Sequence, residues 1–311
     1  MDCAVSELFW HRIQPCAMKY AIISDIHANP TAFKAVLADA RRQKADRIVC
    51  LGDVTGYGYD AVESYMLAKE NCDVWLLGNH DAACAGVDAD ALIRGNPHYD
   101  LDIAERRELG RDRLAEIRAL PYTFSNRHFA CAHGDFRAPQ DFDYILCADD
   151  ARDNFCACER NLMFVGHTHE AKIWILAPEN EMETSGIGQI VLKTGYRYIV
   201  DVGSAGYPRH NLFSSYALYD SRAGTVDLRR IDFDFPDYIK AFKDKGIALP
   251  PWLDRLNEMS EALLRNMTKQ KKLRLDWNGE GPRLRSWTGW GVTTRTRQCR
   301  TLVQSVQDVA E

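Results

Sequence analysis

The sequence has no apolar run near the roughly 18 residues that cross a membrane, so a spanning helix is not expected. Its ten cysteines contain no Cys-x-x-Cys pair, Cys156 and Cys158 being one residue too close, which argues against a thiolate zinc knot. No excess of cations is present: 39 Lys and Arg face 44 Asp and Glu for a net charge of −5, which gives no global reason to expect nucleic acid. Residues 1–17 lack the continuous apolar stretch of a secretory signal, because His11, Arg12 and Gln14 interrupt it. They read as an irregular extension, and the cysteines as reduced thiols of a cytoplasmic protein. With 46% hydrophobic and 27% charged residues, the chain has enough apolar surface to build an ordinary globular core.

What the chain does have is one ending repeated. Ile48-Val49-Cys50-Leu51 runs into Gly52-Asp53, and Ala21-Ile22-Ile23-Ser24 into Asp25 and His27. Val74-Trp75-Leu76-Leu77-Gly78 delivers Asn79, His80 and Asp81; Phe129-Ala130-Cys131-Ala132 delivers His133; Leu162-Met163-Phe164-Val165-Gly166 delivers His167 and His169. Short apolar runs of this kind suit buried parallel strands, whose carboxyl ends are where open α/β sheets place ligands.

Between these runs the spacing turns helical. Pro30, Phe33, Val36, Leu37 and Ala40 predict a helix entered at Pro30, and a second is expected around 60–70 after the strand 47–51. This alternation predicts a parallel or mixed sheet with helices on its faces. Residues 82–100 are polar and read as a loop over the active edge, followed by a charged helix over about 101–118 that stops at Pro121. After residue 170 the runs 172–177, 189–193, 197–202, 215–220 and 225–231 read as a second sheet packed on the first, with a helix at 237–244. The expected division is an extension over 1–17, one domain over 18–250 and a C-terminal extension over 251–311. That extension is expected to be basic and poorly ordered from about 266.

Asp, His and Asn without thiolates make a hard-to-borderline donor set for Mn, Fe, Zn or Ni, with Mn favoured. Two such ions about 3.5–4 Å apart need a shared ligand, and the lone carboxylate of Asp53 can supply it. The pair acidifies a water for in-line attack on phosphorus. The reading is a metal-dependent phosphoric ester hydrolase.

Asp25-Ile26-His27, Gly52-Asp53, Gly78-Asn79-His80-Asp81, His133-Gly134 and Gly166-His167-Thr168-His169 resemble, in order, the five signature blocks of the calcineurin-like metallophosphoesterases. The resemblance covers about residues 18–210. It implies an α/β fold, a two-sheet α/β/β/α sandwich. It also implies that Asp25, His27 and His169 hold one metal and Asn79, His133 and His167 the other, with Asp53 between them. His80 would act on the leaving group as acid or stabiliser, oriented by a carboxylate such as Asp81.

One departure narrows the class. The phosphoprotein phosphatases and diadenosine tetraphosphatases continue with Asp-Arg-Gly where this chain has Gly56-Tyr57-Gly58. The chain looks more like the small bacterial and archaeal phosphodiesterase-type members. A phosphodiester is the expected substrate, with a phosphomonoester, a phosphoprotein or a nucleotide pyrophosphate as alternatives. Tyr57 and Arg209 are candidate substrate contacts; Tyr59 flanks the same loop. His128 reads as an exposed strand-start residue and Cys50 and Cys131 as core residues. A non-catalytic interaction module of the same fold is the alternative from another class, and the filled donor positions argue against it. The basic tail keeps nucleic acid open as a partner, and a nuclease as an activity.

Overall fold

The computed structural model describes residues 17–87, 99–208 and 213–249, together with two strands further along the chain. It divides into two compact units, Met1–Asp234 and Phe235–Glu311. Among the described residues no helix is long and apolar enough to cross a membrane.

The first unit opens with β1 (Lys19–Ile23), whose alternation serves two layers at once. Tyr20 and Ile22 point into a core shared by both sheets, while Ala21 and Ile23 pack under the first helix. That helix, α1 (Pro30–Arg42), starts as the sequence predicts: Asn29 caps it by accepting from the Ala32 amide at 3.1 Å, and Pro30 needs no partner in the first turn. Phe33, Val36, Leu37 and Ala40 form its buried stripe. Next come β2 (Arg47–Cys50), α2 (Ala61–Asn71), β3 (Val74–Trp75), α3 (Asn79–Ala85), α4 (Tyr99–Arg118), β4 (Thr123–Ser125) and β5 (Ala130–Ala132). After them run α5 (Ala148–Ala157), β6 (Leu162–Val165), β7 (Ala171–Leu176), β8 (Met182–Ser185), β9 (Gly188–Val191), β10 (Arg197–Val202), β11 (Ser214–Asp220) and β12 (Thr225–Ile231).

The strands form two six-stranded sheets, ordered β3-β2-β1-β11-β12-β9 and β4-β5-β6-β10-β7-β8. Phe129, Phe164, Val200, Tyr219 and Leu228 fill the space between them; α1 covers the outer face of the first sheet and α5 that of the second. This is the expected α/β/β/α sandwich, with one correction. The strands after residue 170 do not make a sheet of their own: β11, β12 and β9 extend the first sheet, whereas β10, β7 and β8 extend the second. Pairing explains the split. β11 joins β1 antiparallel, with Ile22 opposite Ala217, and β10 joins β6 parallel, with Val200 opposite Phe164.

Two further differences are local. The loop expected over 82–100 begins as α3, because the Ala-rich stretch Asn79–Ala85 favours helix and Asp81 caps it by accepting from the Gly78 amide at 3.4 Å. The charged helix α4 breaks at Gly110, where φ is 73°.

In the second unit, α6 (Phe235–Asp244) is the helix expected at 237–244, and β13 (Leu273–Trp277) pairs antiparallel with β14 (Pro282–Ser286). The rest of the basic tail, residues 1–16 and Arg209 lie outside the described residues.

Candidate metal centre

Parallel pairing of β1, β2 and β3, and of β5 with β6, aligns their carboxyl ends, so Asp25, Asp53, Asn79, His133 and His167 leave their sheets on the same edge. The loops are then tied together. Asp25 and His27 amides donate to the Gly52 and Asp53 carbonyls at 3.1 and 2.9 Å, and the Gly166 amide donates to the His133 carbonyl at 2.8 Å. Two glycines allow this closeness: a Cβ on Gly78 would lie 2.1 Å from Asp53 Oδ1, and one on Gly166 would lie 2.6 Å from Asp25 Oδ2. Asp25, His27, Asp53, His167 and His169 all adopt left-handed φ, between 48° and 70°. Each such turn costs on the order of 1–2 kcal/mol. That strain sits where chain direction decides which atom faces inward.

Three overlapping donor groups result among the described residues, of which two share no residue and the third is His27, Asp53 and His80. Asp25, His27 and His169 bring one donor atom each within 4.8 Å of one another, and so do Asp53, His133 and His167. His27 Nε2 stands 3.1 Å from His169 Nε2, and Asp25 Oδ1 lies 3.5 Å and 3.2 Å from those nitrogens. Donors bonded at about 2.1 Å to one tetrahedral or octahedral ion sit about 3.0–3.4 Å apart, which matches. In the second group His133 Nε2 is 3.3 Å from Asp53 Oδ2 and 3.1 Å from Asn79 Oδ1. Asp53 lies between the groups, since its Oδ2 is also 3.8 Å from His27 Nε2.

Proton placement follows from the other ring nitrogens. Nδ1 of His27, His133 and His169 face the carbonyl oxygens of Thr55, Leu51 and Tyr207 at 3.1, 3.1 and 2.6 Å. A carbonyl only accepts, so Nδ1 carries the proton and Nε2 presents its lone pair to the centre. The carboxylates are arranged alike. Asp25 Oδ2 accepts from the His167 amide and Asp53 Oδ1 from the His80 amide, while the inward oxygens, Asp25 Oδ1 and Asp53 Oδ2, are buried with no hydrogen-bond partner. Ring nitrogens and inward carboxylate oxygens converging on one another in a buried site fit divalent cations, whose binding would displace any proton held there.

In the cation-free protein the imidazoles themselves offset the carboxylate charge, a role that bound cations would take over. Burial alone would raise Asp25 and Asp53, but the imidazoles of His169 and His133 outweigh it and hold both carboxyls below their usual range. Burial lowers His133, yet the Asp53 charge reverses this and pushes it up to about 9. His167, held down by burial and then by His133, stays well below the ordinary value.

His80 is half-buried. A ring nitrogen of it falls within 4.8 Å of His27 and Asp53 donor atoms, and its ring lies 4.3 Å from that of Tyr57. The Asp81 carboxylate turns to the loop after β2: Oδ1 accepts from the Val54 and Thr55 amides and the Thr55 hydroxyl, all at 3.0 Å. It therefore fixes the loop that carries Asp53. Burial and then the Asp53 charge push it up to about 6. Tyr57 stacks on Tyr207 at 4.6 Å beside His27, and Tyr59 bonds Thr31 at 2.6 Å. Cys50 and Cys131 are buried core residues. His128, expected to be exposed, is half-buried with its ring 6.2 Å from that of Tyr20.

Sequence reasoning passed over Asp201 and Tyr144. Asp201 ends the apolar run Tyr198-Ile199-Val200, the same ending that marks Asp53. It is buried and accepts from the Thr168 hydroxyl at 2.6 Å and the Gly203 amide at 3.0 Å, so it fixes the turn carrying His167 and His169. Burial pushes its carboxyl well up. Tyr144 carries no sequence signal; only the fold lays it on His167.

Residues 18–224 match the calcineurin-like phosphoesterase superfamily domain. An uncharacterized protein of Methanocaldococcus jannaschii is 29% identical over 241 residues, 75% of this chain and 94% of its own. The crystal structure of a metallophosphoesterase from Sphaerobacter thermophilus is 31% identical, with a TM-score of 0.65 over 76% of this chain and 97% of that one. A hypothetical protein from Pyrococcus horikoshii shares the fold at 17% identity, with a TM-score of 0.58 over 76% of this chain and 96% of that one. The chain belongs to the calcineurin-like phosphoesterase superfamily and is a metal-dependent phosphoric ester hydrolase.

Proposed function

We propose that the protein hydrolyses a phosphodiester at a dinuclear centre in which Asp25, His27 and His169 hold one divalent ion, Asn79, His133 and His167 the other, and Asp53 bridges them. The observation that carries this is the position of Asp53. Its buried Oδ2 has no hydrogen-bond partner and lies 3.3 Å from His133 Nε2 and 3.8 Å from His27 Nε2, one imidazole from each group. Bound there, two cations supply Lewis acidity and an acidified water.

The chain's own part is positioning and proton handling. Carbonyls of Thr55, Leu51 and Tyr207 fix three imidazoles in one tautomer. Asp81 pins the Asp53 loop, and Asp201 pins the turn through Thr168. His80 faces the leaving-group side as proton donor or charge stabiliser, its backbone anchored by the hydrogen bond that its amide donates to Asp53 Oδ1 at 2.8 Å. A monoester dianion gains most from a bidentate guanidinium. The chain has Gly56-Tyr57-Gly58 in place of Asp-Arg-Gly, which favours the less charged diester. Manganese is the favoured metal and the cytoplasm the favoured compartment, in keeping with the hard-to-borderline donors and the free thiols of Cys50 and Cys131.

The test is metal analysis with a substrate panel on one preparation. With added manganese the protein should carry two ions and cleave bis(p-nitrophenyl) phosphate with higher kcat/KM than p-nitrophenyl phosphate. His80→Ala should keep its metal and lose roughly 100- to 10,000-fold in rate. Loss of metal with the imidazole would make His80 a ligand. A preference for the monoester, a phosphoserine peptide or a nucleotide pyrophosphate would overturn the diester reading.

A further inference from the structure

Tyr144 stands out among the large apolar side chains because it is exposed yet held in place. It retains 41% of its accessible surface, and its neighbours Phe142 and Ile145 are buried at 8% and 4%. The ring stacks on the His167 imidazole with centroids 3.8 Å apart and planes 14° from parallel. Among the described residues no other ring or cation packs on it.

The loop beneath is pinned on both sides of the ring. The Phe136 amide donates to Asn154 Oδ1 at 2.7 Å, and the Asp141 amide to the Ala138 carbonyl at 2.8 Å. The Leu146 and Cys147 amides both donate to Asp150 Oδ2 at 3.0 Å. Phe142 packs its edge toward His133, with centroids 5.9 Å apart. The tyrosine is thus presented in one orientation, inner face on a residue of the metal centre and outer face toward solvent. A preorganised flat surface beside a phosphoryl site suits a flat ligand group, since ordering costs have been met in advance.

We propose that Tyr144 is a substrate-contacting residue whose outer face receives a planar ring, aryl or nucleobase, of the phosphate ester's organic group. This deepens the phosphoesterase reading of the same centre and rests on it. Tyr57 cannot play the same part as freely, because its ring already meets Tyr207, His80 and His27 at 4.6, 4.3 and 4.8 Å.

The experiment is calorimetric binding to the manganese-loaded full chain, using phosphonates that are not hydrolysed. Phenylphosphonate and the 5′-phosphonate analogue of adenosine monophosphate carry a ring; methylphosphonate does not. The parent should bind a ring-bearing ligand more tightly than methylphosphonate. Tyr144→Ala should weaken that ligand about fivefold to a hundredfold, the scale of ring stacking. Methylphosphonate should stay within about twofold, metal content should be unchanged, and Tyr144→Phe should bind as the parent does. Selective loss of phenylphosphonate identifies an aryl ester, and selective loss of the adenosine analogue a nucleotide. Equal weakening of all three, or loss of metal, would make Tyr144 a cover for His167 and overturn the proposal. An unchanged ring preference would overturn it too. Failure of the parent to bind any phosphonate would instead refute the phosphoryl-site reading.

Discussion

The rim of donor loops and the core beneath it are built on opposite rules. In the core between the sheets, Ile22, Phe164, Val200 and Leu228 are fully buried apolar side chains on regular strands. At the rim, Asp25, His27, Asp53 and His169 are equally buried but polar, left-handed in φ and aimed at one another. Burying carboxylates and strained turns is unfavourable, and the rim keeps them only because the strands below fix where each loop starts. Stability and chemistry are therefore carried by adjacent but separable layers, and each can be broken without the other.

The largest effect should come from breaking the rim alone. Asp53→Asn removes the charge between the two donor groups. Turnover should fall by about 1,000-fold, the upper scale for losing a central electrostatic element, with metal content dropping from both groups. The metal-free variant should still fold cooperatively, because no core contact changes, with its midpoint lowered by the loss of the buried Asp53–His133 pair. Near-parental activity with full metal would remove Asp53 from the bridging position.

Breaking the core alone gives the converse. Leu228 lies on β12, far along the chain from every donor loop, and is fully buried. Leu228→Ala should cost about 3 kcal/mol, measured as a lower urea midpoint. Metal affinity of the folded protein should be unchanged. A variant that loses metal while still folded would show that the layers are coupled.

An intermediate effect tests the joint between them. Thr168→Val deletes the hydroxyl that donates to buried Asp201 at 2.6 Å. Outer-shell changes of this kind cost about 10- to 100-fold in metal affinity, and the loss should fall on the turn that carries His167 and His169. Thr168→Ser should restore most of it. Equal metal affinity in the valine variant would leave Asp201 a purely structural carboxylate.

The smallest effect lies away from the site. Asp39 on α1 accepts from Tyr216 and Arg229 at 2.7 Å and from Arg42 at 2.6 Å. Burial would raise its carboxyl, but the Arg229 and Tyr216 hydrogen bonds outweigh it and hold it below the ordinary range. A depressed folded value means stability fully present above the unfolded carboxyl range near pH 4 and lost as pH falls through the folded value. Asp39→Asn should cost about 2 kcal/mol at pH 7 and flatten the acid side of the stability profile. An unchanged slope below pH 4 would assign that acid sensitivity elsewhere.

Much of this was legible in the chain because two periodicities are local. Apolar runs that stop at a carboxylate or imidazole mark strand ends, and the Phe33, Val36, Leu37, Ala40 spacing marks α1. The seven proposed donors are visible for the same reason: each follows its strand within a few residues. Non-local pairing is not written this way. Nothing local assigns β11 to β1 or β10 to β6, since runs such as Tyr198–Val202 and Tyr216–Tyr219 satisfy either sheet by alternation. The same limit hid Tyr144 and the partner of Asp201. A tyrosine in a loop and a carboxylate at a strand end become a ring on His167 and an acceptor for Thr168 only once β5, β6 and β10 lie side by side. Residue type and spacing determined which atoms could bind a metal, and the lateral order of strands decided which of them face each other.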